Sequence, residues 1–437
     1  MIESICVFED EHFAQLNPFA RLRACYDIQI SKFRLFDRLV APFSDINLAC
    51  YCRQEITAFT QSQHAELFIN TLSKASACLF LNGRILMDHE LAETLKKIDT
   101  KQNALFTQNG IIVAVYVRGA HLEFMEAALK TPLKAHDVLT YFRKKAICKE
   151  LEKVTFLSSA ESLPDFLDKV IFQDFKSLNQ AGVFKGKVGS LSALYHEDNI
   201  YMDAGSVVED FVLIDARKGP VILDKRVTVK AHSHLEGPLY VGPDTIILGG
   251  YIAKSSIGKS CKIAGEVQSS VIFNYSNKAH SGFVGNSVLG EWVNLGALST
   301  TSNLKINYKE ISVHCPNQKK QTQRQFFGAL LADYVKTGIH SSLNAGTCID
   351  FGSSLFGSHL HKGYIAPFTW GEAGNYQYHN EDAFFETVAR MMQRRDRSLS
   401  SQQLEQMKHF YQQQKQMSVY QKEGKYERTD SHKNAAS

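Results

Sequence analysis

The chain has 437 residues, 44% of them hydrophobic and 22% charged, enough apolar material for two or three packed domains. A formal net charge of only +4 gives no basis for binding nucleic acid or a membrane surface through bulk charge. The nine cysteines form no CxxC pair and no Cys/His ligand cluster, which argues against structural zinc and for free thiols in a reducing cytoplasm.

The opening MIESICVFEDEHF has no basic segment and reaches acidic residues early, so it does not read as a signal peptide. No apolar run reaches the roughly 18 residues of a membrane span. Short apolar runs rich in β-formers follow at residues 5–8, 46–52, 78–81 and 111–115. Helical patterns lie between them at 65–72 and 91–98, and another at 165–180 closes the region. Strands alternating with helices predict an α/β, Rossmann-like domain over residues 1–198, with a mostly parallel sheet covered on both faces.

From about residue 200 a period of six replaces helical periodicity. Leu331, Thr337, Leu343, Ile349 and Leu355 are spaced by six, as are Phe283, Leu289 and Leu295, with Val271 and Asn277 in phase before them. Leu235, Val241 and Ile247 form another run, and Ile257 and Ile263 a shorter one. Glycine follows several of the phased positions, at Gly242, Gly258, Gly290, Gly296 and Gly338. One aliphatic residue in six, followed by small residues, predicts a left-handed parallel β-helix over residues 199–375. Three short strands make one coil, each points one side chain inward, and glycine and small residues turn the corners. Burying one such side chain contributes roughly 1.5–3 kcal/mol, so a dozen carry a solenoid.

The phase breaks between Leu295 and Leu331, where an insertion is expected to project as a loop. Its basic run at 319–324 reads as a solvated loop or, alternatively, as a grip on phosphate. Residues 376–437 predict two helices and a polar, disordered tail from about residue 421. Phe384, Phe385, Val388, Met391 and Met392 fall on helical spacing in the first helix, and Ser400 is a cap for the second.

The segments KAHSGFVGNSVLGEWVNLGALSTTSNLK and GALLADYVKTGIHSSLNAGT are more specific than a bare hexapeptide repeat. Here the sequence resembles the bifunctional N-acetylglucosamine-1-phosphate uridyltransferase / glucosamine-1-phosphate acetyltransferase family and its sugar-nucleotidyltransferase-like relatives. The resemblance covers residues 200–370 well and the first domain weakly. It implies that His280 is the general base of acyl transfer from acetyl-coenzyme A. An imidazole with a pKa near 6.5 suits removal of a proton from an acceptor ammonium; a lone histidine on a turn also reads as a surface residue. The resemblance further implies that Asn294 and Asn303 contact the sugar phosphate. Asparagine donates and accepts at once, although it also commonly fills solenoid turns. It implies that the Ala297 N–H stabilises the oxyanion and that Lys309 helps hold the substrate. His340 and Ser341 are implied to border the acyl-donor cleft. Two positions depart from the pattern: Phe283 stands where an aromatic hydroxyl is expected, and Gln268 where a basic contact is expected.

The first domain departs further. Nucleotidyltransferases of this kind follow the first strand with a glycine-rich phosphate loop, but ICVF is followed by EDEHFAQLNPFARLRA, which has no glycine. An aspartate expected to hold Mg²⁺ is replaced by Arg84 in LFLNGR. Arg84, Arg21 and Arg23 are then candidates for binding phosphate, or are structural arginines.

The sequence therefore predicts a sugar-1-phosphate nucleotidyltransferase whose β-helix acetylates an amino-sugar phosphate or nucleotide sugar. By resemblance it is a homotrimer that takes acetyl-coenzyme A, and its first domain holds Mg²⁺ if a divergent metal site survives. The alternative is a sugar-nucleotide-binding or scaffold protein that kept the fold without catalysis.

Overall fold

In the strand Ser4–Phe8 every residue is buried, which places it at the centre of a sheet covered on both faces. The computed structural model, which describes residues 2–43, 46–72, 75–315 and 318–423, sets this strand in a 7-stranded sheet. Across the sheet the order is Phe68–Ile69, Asn47–Tyr51, Ser4–Phe8, Ala77–Asn82, Ile111–Arg118, Ala104–Gln108, Ile147–Glu150. Cys6, Phe8, Phe80, Val115 and Val117 pack with Met125, Val138 and Phe142 of the helices His121–Ala128 and Ala135–Phe142. The sheet is mixed, because Ile111–Arg118 runs antiparallel to both neighbours. The helix expected at 65–72 is instead a helix at Thr57–Gln63 followed by the edge strand Phe68–Ile69. That edge strand pairs with Cys50 and its neighbour, a tertiary contact that overrides local helical spacing.

The second half is a parallel β-helix with three faces. One face is a 9-stranded sheet running from Ile200–Met202 to Tyr364–Ile365. The other two belong largely to one 15-stranded sheet, because Ile246–Ala253 and Lys262–Gln268 are single strands that cross a corner. The ladder begins at Lys187–Val188, earlier than residue 200. Val188 and Leu194 already carry the six-residue spacing, but these rungs expose so many neighbouring side chains that they do not stand out as repeats.

Leu331, Thr337, Leu343, Ile349 and Leu355 are all buried and visit the three faces in turn. Leu289 and Leu295 point inward as expected, but the members of that run before Leu289 are shifted by one residue. Val284, Ile272 and Lys278 point inward, whereas Phe283 and Asn277 face outward beside them. The slip arises where Val284 and Leu289 are separated by five residues rather than six. Gly296 keeps an ordinary backbone; its hydrogen side chain is needed because a Cβ there would lie 2.4 Å from the Gly338 carbonyl carbon of the next coil. Side-chain-bearing residues such as Trp292, Leu298 and His340 take many of the left-handed corner positions instead.

The insertion between Thr301 and Ala329 holds a hairpin, Ser312–Cys315 with Gln318–Gln321. Two of its basic side chains, Lys320 and Arg324, are engaged within the chain rather than free in solvent. Lys320 pairs with Glu161 at 2.5 Å, and Arg324 pairs with Asp165 and donates to the Glu161 carbonyl, so the run straps the β-helix to the first domain. The antiparallel pair Thr369–Glu372 and Asn375–Tyr378 ends the ladder.

Residues from Asn380 onward form a second compact unit. It contains the helices Glu381–Gln393 and Ser401–Glu423, and the Ser400 hydroxyl accepts from the Gln403 N–H as a cap. The tail beyond residue 423 lies outside the described residues. No described helix is long and apolar enough to cross a membrane.

Candidate functional site

The strand register stacks three of the expected residues on one edge of the prism. Lys278, Leu295 and Thr337 occupy equivalent inward slots on successive coils, so His280, Ala297 and Ile339 follow at the same corner, with His340 one residue further on. Backbone bonds fix these corners to one another: Leu298 N–H donates to the Ser281 carbonyl at 3.0 Å, and His340 N–H to the Ala297 carbonyl at 2.7 Å. The His280 and His340 side chains are exposed at this edge. Ala297 is half-buried, and its N–H makes no hydrogen bond among the described residues.

Asn294 lies outward on the strand entering this corner, and its amide oxygen accepts from Asn277 at 3.3 Å. Phe283 lies outward on the strand leaving it, with its ring over Gly285, where a Cβ would come within 2.3 Å of the ring. Asn303 is at the far edge of the same face and donates to the Asn286 side chain at 2.8 Å. Lys309 is exposed on the insertion, and its N–H donates to Asn307 Oδ1. Gln268 donates to Glu266 at 2.5 Å beside the Phe283 rung.

Ser341 does not face a cleft. It is 0% exposed, and its hydroxyl donates to the Gly338 carbonyl at 2.9 Å, so it serves as an internal corner residue. Lys278 was not singled out by sequence reading. It is buried in the slot expected to hold an aliphatic residue, directly before the His280 turn. The sign that would have revealed it is a lysine two residues before the proposed base, one position out of the apparent phase.

At the carboxyl ends of the first domain's strands, where α/β folds hold nucleotides, two buried ion pairs meet. Arg84 is 1% exposed and grips Asp10 with two bonds, Nε to Oδ1 at 2.7 Å and Nη2 to Oδ2 at 2.6 Å. Asn82 completes the set by donating to Asp10 at 2.9 Å and accepting from the Arg84 N–H at 3.0 Å. Glu9 accepts from Arg53 at 2.7 Å, and the Arg53 guanidinium lies 3.9 Å from the centre of the Phe13 ring. The Arg84 guanidinium therefore serves Asp10 rather than an incoming phosphate.

The other two candidate arginines join the first domain to the β-helix. Arg21 binds Asp350 with contacts of 3.2 and 2.6 Å, and Arg23 reaches Asp333 at 3.0 Å and Glu291 at 3.3 Å. The buried Asp333 carboxyl is pushed up to about 6, chiefly by loss of water, with Arg23 opposing the rise.

Mg²⁺ does not fit this crevice. Arginine stands at the position expected for a metal-binding carboxylate, and Glu9 and Asp10 are each already bound to a guanidinium. Among the described residues no group of three or more His, Cys, Asp or Glu side chains is placed to hold a metal.

Residues 5–182 match the sequence model of the family described as sugar nucleotidyl transferase. Among curated relatives, a bifunctional sugar-1-phosphate nucleotidylyltransferase/acetyltransferase of Sulfurisphaera tokodaii is 34% identical over 154 residues, covering 32% of this chain and 36% of the relative. The bifunctional protein GlmU of Methanocaldococcus jannaschii is 30% identical over 164 residues, 35% of this chain and 37% of the relative. That of Methanococcus aeolicus is 31% identical over 110 residues, 25% of each chain. The chain thus spans between a quarter and two fifths of the length of these relatives.

Proposed function

We propose that this chain is a transferase of sugar-nucleotide metabolism whose β-helix moves an acetyl group from acetyl-coenzyme A to the amine of an amino-sugar phosphate or nucleotide sugar. The observation that carries the reading is the single prism edge shared by His280, Ala297 and His340, with Asn294 on the adjoining strand. The names of the matched relatives, which pair a nucleotidylyltransferase with an acetyltransferase, support it.

In this mechanism the His280 imidazole takes a proton from the acceptor ammonium. The freed amine attacks the thioester carbonyl, and the oxyanion that forms is stabilised by the unpartnered Ala297 N–H. Collapse breaks the carbon–sulfur bond, the leaving thiolate takes up the proton from the imidazolium, and the second proton of the former ammonium passes from the new amide nitrogen to water. Asn294 and Asn303 hydrogen-bond the sugar, and the Phe283 ring offers an apolar surface to its carbon face. Lys309, on the insertion, meets the phosphate as a point charge. In a homotrimer the exposed edge of one chain faces a neighbouring chain, and His340 borders the coenzyme there.

The first domain supplies or holds the sugar nucleotide. A specific observation favours a second reading for this half alone: the Asp10–Arg84 pair closes the position of the metal-binding acid, so the domain binds a sugar nucleotide without cleaving it.

Thiol release from acetyl-coenzyme A with a panel of amino-sugar phosphates and nucleotide sugars tests the β-helix half. His280→Ala is expected to lower kcat by roughly 100-fold or more. Absence of thiol release by the wild type with every acceptor would sink the transferase reading. Pyrophosphate release from nucleoside triphosphates and sugar-1-phosphates separates the two readings of the first domain.

A further inference from the structure

Lys278 sits in a column of aliphatic side chains. It is in register with Ile263 on the coil before and, through the pairing of Asn277 with Asn294, with Leu295 on the coil after. It is 2% exposed, and burial lowers its pKa to about 8. An ammonium placed there is costly unless its N–H groups find acceptors. Nζ donates to the Ala264 carbonyl at 2.7 Å and to the His280 carbonyl at 2.6 Å. Gly265 leaves room for it, since a Cβ at that residue would lie 2.9 Å from Nζ.

Corner lengths explain why such a bridge is needed. From one inward residue to the next, this corner takes six residues in most coils, as from Val229 to Leu235 and from Leu295 to Thr301. From Ile263 to Val267 it takes four, whereas from Lys278 to Val284 it takes six again. The turn carrying His280 therefore overhangs a shorter turn with fewer main-chain groups to rest on. Glu266 N–H reaches the Gly282 carbonyl at 3.1 Å, and the Lys278 ammonium joins the Ala264 and His280 carbonyls from inside the prism.

We propose that Lys278 is the positioning residue for the His280 base: by tying the His280 carbonyl to that of Ala264, it fixes the direction in which the imidazole leaves the prism edge. The inference rests on the reading of His280 as the acyl-transfer base. It concerns the hold on the turn as well as the rate, so the two are measured separately.

The test is amide hydrogen exchange over residues 279–283, together with steady-state thiol release from acetyl-coenzyme A, in the full chain and its Lys278→Met and Lys278→Gln variants. Methionine fills the aliphatic column without donors, and glutamine keeps two N–H donors. In Lys278→Met, exchange over 279–283 is expected to quicken about tenfold or more while neighbouring coils keep their protection. Its kcat is expected to fall roughly 100-fold, with KM for acetyl-coenzyme A changed less than about twofold. Lys278→Gln is expected to recover part of both, and it carries the test if the methionine variant does not fold. Unchanged exchange in the variants overturns the proposal whatever the activity. Faster exchange with an unchanged kcat overturns it as well. If the wild type shows no turnover, the acyl-transfer reading fails by itself, and the exchange result still decides whether Lys278 holds the turn.

Discussion

Replacing Arg84 with methionine removes the guanidinium that binds Asp10 and leaves a carboxylate 5% exposed with, among the described residues, Asn82 as its remaining side-chain donor. Breaking a buried pair on one side costs about 3–5 kcal/mol, because the surviving charge is neither solvated nor paired. Asp10→Leu leaves the guanidinium with a weak 3.4 Å bond to the Leu157 carbonyl and the Phe156 ring, whose centre lies 5.3 Å away, and no carboxylate. Removing both partners with apolar residues of similar volume is often close to neutral. The double variant Asp10→Leu/Arg84→Met should therefore be more stable than either single variant. Urea denaturation followed by circular dichroism measures the cycle, and hydrogen exchange in the strand Ser4–Phe8 localises the loss to the first domain. A cost below about 1 kcal/mol for Arg84→Met would refute the reasoning, as would a double variant as unstable as the sum of the singles.

The remaining expectations concern the β-helix. His361 points inward in register with Leu343; its Nδ1 lies 2.7 Å from the Tyr376 hydroxyl, its Nε2 has no partner among the described residues, and burial holds its pKa below the usual imidazole value. The unfolded chain takes up a proton near pH 6.5 that the folded chain resists, so stability should fall as pH drops below about 6.5. Melting temperatures between pH 8 and 5 should show this slope in the wild type and a weaker one in His361→Leu. Gly296→Ala should lower stability by about 1–3 kcal/mol, since its methyl group meets the next coil, and thermal melting checks this.

The repeat was legible because each coil exposes its rule at every turn: one side chain inward per strand, aliphatic from Leu331 to Leu355 except at Thr337. Where corners change length the rule is silent. The five-residue step from Val284 to Leu289 hid the inward lysine, because strict spacing by six gave its slot to Asn277. The candidate base could be named from its neighbours in sequence, but what supports it could not. The ammonium bridge depends on the short corner after Ile263, which is visible only once strands are in register. In the first domain, the absent glycine loop and the arginine in LFLNGR were plain in the sequence. The partner of that arginine, Asp10, lies 74 residues away and was not. The helix misread at 65–72 failed for a related reason, since pairing with the neighbouring strand decided its conformation.

The ties between the first domain and the solenoid also bear on how the chain is made. Arg21 meets Asp350 across 329 residues of sequence, and Arg324 returns to Asp165 across 159. A ribosome therefore releases most of the solenoid before the earliest segment can settle against its final neighbours. Until then Arg21, Arg23 and the Phe19 ring, which ends beside Phe273, stay uncovered on the nascent chain. A gene cut at the apparent boundary between the halves would leave that surface bare in the product, so fragments of this protein are poor stand-ins for the whole.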